Sequence, residues 1–169
     1  METSYATISI GGAIKRSDIE RFIAAAENDY AYPDDGRGLL GAALIDAKLD
    51  NTALVLIGED VPWGEFDELE ALCRELGLAY ARRSDPNQGN WGEHTVFWQP
   101  GMREPETIAT RDGEPVMTGS EIARRIGGGQ SAAPLAAELV RLKRVIALEI
   151  PLTIVEDGPG RDTAAEAGA

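Results

Sequence analysis

Residues 52–82 read TALVLIGEDVPWGEFDELEALCRELGLAYAR and predict a strand, a helix and a second strand in succession. The start of this stretch, TALVLIG at 52–58, is continuously apolar and of strand length, which favours a central strand of a sheet. From Phe66 to Leu76 the apolar side chains recur every three or four residues, which is the spacing of one helix face. Gly77 suits the position that follows a helix end, and the alternation at 78–82 favours a return to the sheet.

Other strands are predicted on both sides of this unit. Residues 5–10 alternate between apolar and polar side chains, as in a half-buried strand, and residues 95–99 are aromatic and β-branched. Two further strands are expected around the Asp112-Gly113 pair, because this dipeptide favours a tight hairpin turn.

Helices are predicted at four other places, where apolar side chains recur at helical spacing or a capping residue precedes them. They are 17–28 with a Ser17/Glu20 capping box, 39–49, a segment that starts at Thr118 with a Thr118/Glu121 capping box, and a segment from Ser131 to about Leu148. Hairpins and crossovers are therefore mixed along the chain. We expect an α+β fold, with a mixed and largely antiparallel sheet and helices packed on one face.

Length and composition favour one domain. The chain has 169 residues, of which 43% are hydrophobic, and this is enough for a self-sufficient core. We expect a single domain at 1–150 and a C-terminal tail at 151–169 whose end is disordered. The one cysteine cannot form an intramolecular disulfide, and the sequence has neither a secretory leader nor an apolar run of membrane-spanning length. A cytoplasmic location is the expectation.

Charge is the most unusual property of the composition. The net charge is -13, and residues 1–100 carry 18 acidic against 8 basic side chains. Such a field repels nucleic acid and anionic membranes, and it attracts basic partners. We therefore expect no direct contact with nucleic acid or membrane. The alternative explanation is that the acidity provides solubility only.

The residues that nucleophilic catalysis would need are not in a catalytic pattern. Cys73 falls on the apolar face of the predicted helix and is interpreted as a core residue. His94 stands at the start of an aromatic strand and is interpreted as structural. One cysteine and one histidine cannot form a zinc cluster, and no cofactor is expected. The remaining enzymatic alternative is a divalent-metal site of loop carboxylates, for which the candidates are Asp34, Asp35, Glu59 and Asp60.

The aromatic residues suggest a binding surface instead. Trp63 follows a proline at a helix start, and Trp91 lies in a polar loop, so both can anchor an interface. Trp63 can also pack against the core at the start of its own helix. The predicted partner-binding residues are Trp63, Glu65, Asp67, Glu68, Glu70, Glu59, Asp60 and Trp91.

The stretch PWGEFDELEALCRELGLAYARRSD and the later VFWQPG carry a resemblance that spans residues 62–101. There the sequence resembles a loose group of small, acidic, uncharacterised bacterial proteins associated with phage and mobile elements. The resemblance supplies no catalytic residue. It implies a context in which small acidic proteins occupy basic surfaces of host machinery, as some anti-CRISPR proteins and nucleic-acid mimics do.

Three functions follow as expectations. The first is a non-enzymatic acidic binding protein or inhibitor that occupies a basic surface of nucleic-acid-handling machinery. The second is an enzyme that uses carboxylates and a divalent metal. The third is a structural or oligomerising subunit.

Overall fold

The computed structural model describes residues 3–34, 39–87 and 92–157. The strands in these ranges are β1 (Thr3–Lys15), β2 (Tyr32–Pro33), β3 (Leu54–Pro62), β4 (Ala79–Ser84), β5 (His94–Trp98), β6 (Glu106–Arg111), β7 (Glu114–Pro115) and β8 (Leu152–Val155). The α-helices are α1 (Ile19–Asn28), α2 (Leu40–Asp50), α3 (Asp67–Leu76), α4 (Gly119–Gly127) and α5 (Ala132–Ile146). Within these ranges no helix combines the length and the apolar character needed to cross a membrane.

The strands form one mostly antiparallel sheet, which confirms the predicted α+β class. Its order is β2-β3-β1-β4-β5-β6-β7, and β8 pairs in parallel with the last residues of β1. β3, α3 and β4 form the predicted strand–helix–strand unit, with β1 inserted between the two strands and antiparallel to both. The apolar run that begins at Leu54 is therefore an inner strand, as its composition predicts.

The helices are divided between the two faces of the sheet, in contrast to the prediction of helices on one face. Neighbouring residues in a strand point to opposite faces. Tyr80 belongs to the larger core, which α1, α2 and α3 cover, whereas Ala79 and Ala81 belong to a smaller core with Leu142 of α5. The even residues of β4 therefore face the first three helices, and its odd residues face α5.

The segment after Pro151 belongs to the fold in part, although the sequence predicts a tail from residue 151. β8 pairs with β1 between Gly12 and Lys15, and Leu152 is fully buried in the larger core. β1 correspondingly continues five residues past its predicted end at residue 10.

The predicted helix caps have different outcomes. Thr118 accepts a hydrogen bond from the Glu121 N–H at 3.2 Å, which confirms that cap. The Ser17 capping box is wrong, because Ser17 Oγ donates instead to Asp157 Oδ1 at 2.6 Å and α1 begins at Ile19 after a short 3-10 turn. Ser131 makes no side-chain cap bond either.

Candidate functional site: an acidic end of the sheet

One end of the sheet brings together segments that are distant in sequence. The start of β1 lies beside the end of β3, where Thr3 is opposite Pro62, and beside the end of β4, where Ala6 is opposite Ser84. α3 begins at this end, because it follows β3 after a short turn. α1 ends here as well, since the Leu69 N–H in α3 donates to Asp29 Oδ2 at 2.8 Å.

Carboxylates are concentrated at this end, which we call the acidic end. We define it by eight acids of the described chain: Asp29, Asp34, Glu59, Asp60, Glu65, Asp67, Glu68 and Asp85. Two arginines of β4 also reach it, and both are paired with carboxylates: Arg82 with Glu70, and Arg83 with Glu93 at 3.3 Å. The end thus carries a local excess of negative charge.

Trp63 is held at the tip of a tight turn between β3 and α3. The Glu65 N–H donates to Pro62 O at 3.0 Å, and both central residues of this turn have positive φ, 55° at Trp63 and 67° at Gly64. This is the pattern of a type I′ turn. A Cβ on Gly64 would come within 2.7 Å of Ser4 Oγ, so the second position requires glycine.

The first position of that turn is unfavourable for tryptophan. A left-handed backbone costs an ordinary L-residue about 1–2 kcal/mol, and bulky side chains rarely adopt it. Trp63 is nevertheless 54% exposed. Strained residues persist only where the surrounding structure fixes them, and they cluster at functional sites.

A buried ion pair fixes the turn from behind. Arg82 is 2% exposed, and its Nε donates to Glu70 Oε1, which also accepts the Phe66 N–H at 3.3 Å. Arg82 Nη1 donates to Gly64 O at 2.6 Å and to Ser84 Oγ at 2.7 Å. The guanidinium therefore connects the turn, the first part of α3 and β4.

The junction of α1 and α3 is a second fixed point of the acidic end. Asp29 accepts the Leu69 N–H, and Asn28 Nδ2 donates to Glu68 Oε2 at 2.8 Å. Burial raises the pKa of Asp29, and the nearby charges of Glu68 and Asp67 raise it further, although hydrogen bonds from the α3 backbone oppose this. The end of one helix thus caps the start of another.

Three tyrosines at this end were not predicted as site residues. Tyr5, Tyr30 and Tyr32 are all exposed. Burial raises the pKa of Tyr5, and the charges of Asp34, Asp85 and Glu59 raise it further, although the charge of Arg83 opposes this. The sequence signal was the stretch YAYPDD at 30–35, in which aromatic residues adjoin acids.

The predicted partner-binding residues fall into three groups. Glu59, Asp60, Trp63, Glu65, Asp67 and Glu68 are exposed at the acidic end. Glu70 is only 7% exposed and is bound to Arg82, so the prediction of an exposed acid there is wrong. Its position follows from helix geometry, because Glu70 lies four residues after the buried Phe66 and shares its face. Trp91 lies outside the described residues.

The residues considered for catalysis lie elsewhere. Cys73 is fully buried, as predicted, and burial raises the pKa of its thiol. His94 begins β5, with Nδ1 3.1 Å from Gly92 O. Across residues 3–34, 39–87 and 92–157 no group of three or more His, Cys, Asp or Glu could hold a metal ion. Asp35, one of the four metal candidates, is not among those residues, whereas Asp34, Glu59 and Asp60 are.

Comparison of the chain with models of protein families, with curated proteins and with solved structures gave no match. The resemblance over residues 62–101 therefore stays a prediction. Any functional conclusion depends on the residues of the acidic end.

Proposed function

We propose that this chain is a non-enzymatic binding protein that uses its acidic end to occupy a basic surface of nucleic-acid-handling machinery, as an inhibitor of the nucleic-acid-mimic type. The observation that carries the proposal is the gathering of carboxylates and exposed aromatic side chains on one end of the sheet. This function requires a cytoplasmic location. Complementary charge speeds association and selects the partner, and aromatic anchors contribute much of the affinity.

The arrangement suits a preformed interface. Trp63 is already exposed, and the Arg82 network fixes the backbone that carries it. A backbone that is fixed before binding loses less conformational entropy when the partner arrives. Glu65, Asp67 and Glu68 follow within the same turn and the start of α3, so their charges accompany the indole.

The test is capture of a partner from bacterial lysate on the immobilised chain, at low and at high salt. The acidic variant carries Glu65→Gln, Asp67→Asn and Glu68→Gln. Its control carries Asp50→Asn, Glu104→Gln and Glu149→Gln, three exposed acids at the opposite end of the sheet, and it changes the net charge equally. A third variant, Trp63→Gly, removes the anchor and relieves the left-handed strain.

We expect the wild type and the control to retain a basic nucleic-acid-binding protein at low salt, and duplex DNA or high salt to release it. The acidic variant should lose this protein, and Trp63→Gly should hold it more weakly. The proposal would be contradicted if the chain retained the same amount of the protein at low and at high salt, or if the acidic variant still retained it. Equal loss in the control would show that the net charge of the chain, and not the acidic end, retains the protein.

A further inference from the structure

A cleft lies at the edge of the acidic end, beside the surface formed by Trp63 and α3. Its volume is about 540 Å³, within the range of ligand pockets. It is lined by Tyr30, Tyr32, Ile57, Glu59 and Asp60, and we call it the tyrosine cleft. Its walls therefore combine two aromatic rings, two carboxylates and one aliphatic side chain.

An irregularity in the sheet brings both carboxylates to the cleft. Gly58 lies opposite Ala6 and Val61 lies opposite Ser4, so the two residues between them on β3 face a single residue, Tyr5, on β1. This is a β-bulge, which re-aims side chains and recurs next to functional sites. In a regular strand Glu59 and Asp60 would point to opposite faces.

The two rings come from the segment after α1. The Ala31 N–H donates to Ala26 O at 2.8 Å and the Tyr30 N–H donates to Glu27 O at 3.1 Å, the two bonds of a Schellman motif. Tyr30 takes the left-handed position, with φ of 55°, where glycine is usual, and it is 63% exposed. Tyr32 is placed by its pairing with Ile57.

We infer that the tyrosine cleft binds an arginine side chain of the partner polypeptide. Aromatic faces attract cations, and Glu59 and Asp60 supply the opposite charge. A guanidinium fits both kinds of wall, since it is planar, stacks on aromatic rings and pairs with a carboxylate through two parallel hydrogen bonds. The inference rests on the proposed function, and it names the chemical group that this part of the acidic end recognises.

Other occupants are less compatible with the charges at this end. Nucleic acid would bring its negative phosphates close to the carboxylates of Glu59 and Asp60, which repel them. A second copy that docked through the same face would place its own carboxylates against Glu59 and Asp60. These like charges repel, and each chain has a net charge of -13. A lysine ammonium would satisfy the charge, but it is a compact, strongly hydrated ion that stacks poorly on tyrosine rings.

The test uses short glycine peptides with one central residue, which is arginine, lysine or uncharged citrulline. Each is titrated into the full chain, and the amide resonances of residues 57–60 are followed. We expect saturable binding of the arginine peptide, about threefold or more weaker binding of the lysine peptide, and at least about tenfold weaker binding of the citrulline peptide.

Variants locate the binding. The double variant Glu59→Gln/Asp60→Asn should weaken the arginine peptide at least about tenfold, and Tyr30→Gly should weaken it severalfold while relieving backbone strain. The Asp50→Asn/Glu104→Gln/Glu149→Gln variant, which removes three charges at the opposite end of the sheet, serves as the control and should bind as the wild type does. Absence of saturable binding, equal binding of the lysine peptide, or unchanged binding by the double variant would overturn the inference.

The two proposals can fail separately. If the peptides behave otherwise than expected while the acidic variant still loses a captured nucleic-acid-binding protein, only the arginine site is wrong. If the arginine peptide binds in the cleft while no basic partner is captured, the site stands and the nucleic-acid-handling partner is wrong.

Discussion

The side chain of Arg82 explains why an exposed tryptophan can persist in a strained turn. Ionised groups are rarely fully buried unless they are paired, because removing them from water is costly. Arg82 is paired with Glu70 and also donates to the backbone of the turn, so the cost of burial is offset by contacts that fix Gly64. A positively charged side chain, Arg82, therefore fixes the backbone of the acidic end.

We predict that breaking this pair from one side destabilises the fold strongly. Either Glu70→Gln or Arg82→Met should lower the free energy of unfolding by about 3–5 kcal/mol, because the remaining charge stays buried without its close partner. Glu65, 3.8 Å from Arg82 Nη2 and half exposed, replaces Glu70 only weakly. Denaturant titration measures this. The Glu70→Leu/Arg82→Met double variant should recover much of the loss.

The exposed pair Arg21–Glu75 supplies a matched control for this prediction. It joins the same residue types across α1 and α3, and both side chains are more than half exposed. Glu75→Gln should change the stability little, since exposed ion pairs contribute little. A Glu70→Gln variant as stable as Glu75→Gln would show that Arg82 does not depend on the ion pair.

At the scale of elements, the hairpin of β6 and β7 shows how far local sequence predicts structure. The Asp112-Gly113 pair predicts the turn correctly, and both residues have positive φ. The turn is also held by a residue that the local pattern cannot reveal. Glu93 accepts the N–H groups of Asp112 at 2.9 Å and Gly113 at 2.7 Å.

We predict that this contact depends on pH. Burial raises the pKa of Glu93, but the hydrogen bonds from the turn and the charge of Arg83 outweigh it and leave the pKa below its ordinary value. The stabilisation is therefore fully present above the unfolded pKa of about 4.3, and it is lost as pH falls through the lower folded value.

The measurement compares the wild type with Glu93→Gln across this range. The wild type should be more stable by about 1–3 kcal/mol near neutral pH, as expected for hydrogen bonds to a charged acceptor. The difference should shrink below about pH 4. A difference that stays constant from neutral to acid pH would mean that the carboxylate charge contributes nothing.

In the other elements too, local sequence predicts the helices and strands but not the contacts between distant segments. The helical spacing from Phe66 to Leu76 and the glycine at position 77 predict α3 and its end, because these signals are local. The burial of Glu70, the capping of α3 by Asp29 and the bulge at Glu59 depend on segments that meet only in three dimensions. Sequence periodicity therefore predicts the elements of the candidate site, but not its contacts.

At the scale of the molecule, the two ends of the sheet differ in composition. The eight acids that define the acidic end all lie between Asp29 and Asp85, whereas the opposite end is where β8 joins β1. The smaller core beneath α5 and the larger core beneath α1, α2 and α3 lie on opposite sides of the sheet that joins them.

We predict that β8 is required for stability although it was expected to be tail. Leu152→Ala should lower the free energy of unfolding by about 2–5 kcal/mol, because it leaves a cavity in the larger core. Val155→Ala in the same strand is the control, since Val155 is 39% exposed, and it should cost much less. Equal and small losses, measured by denaturant titration, would show that β8 does not support the core.

The pairing of β8 with β1 also affects how the chain reaches this structure. Gly12 and Thr153 are hydrogen-bonded although they are 141 positions apart. Contacts between such distant positions raise the contact order and slow folding. On the ribosome, β1 cannot acquire its last partner until nearly the whole described chain has emerged, whereas the eight acids that define the acidic end have all been synthesised by residue 85. The residues proposed for binding are thus all synthesised well before the strand that completes the sheet.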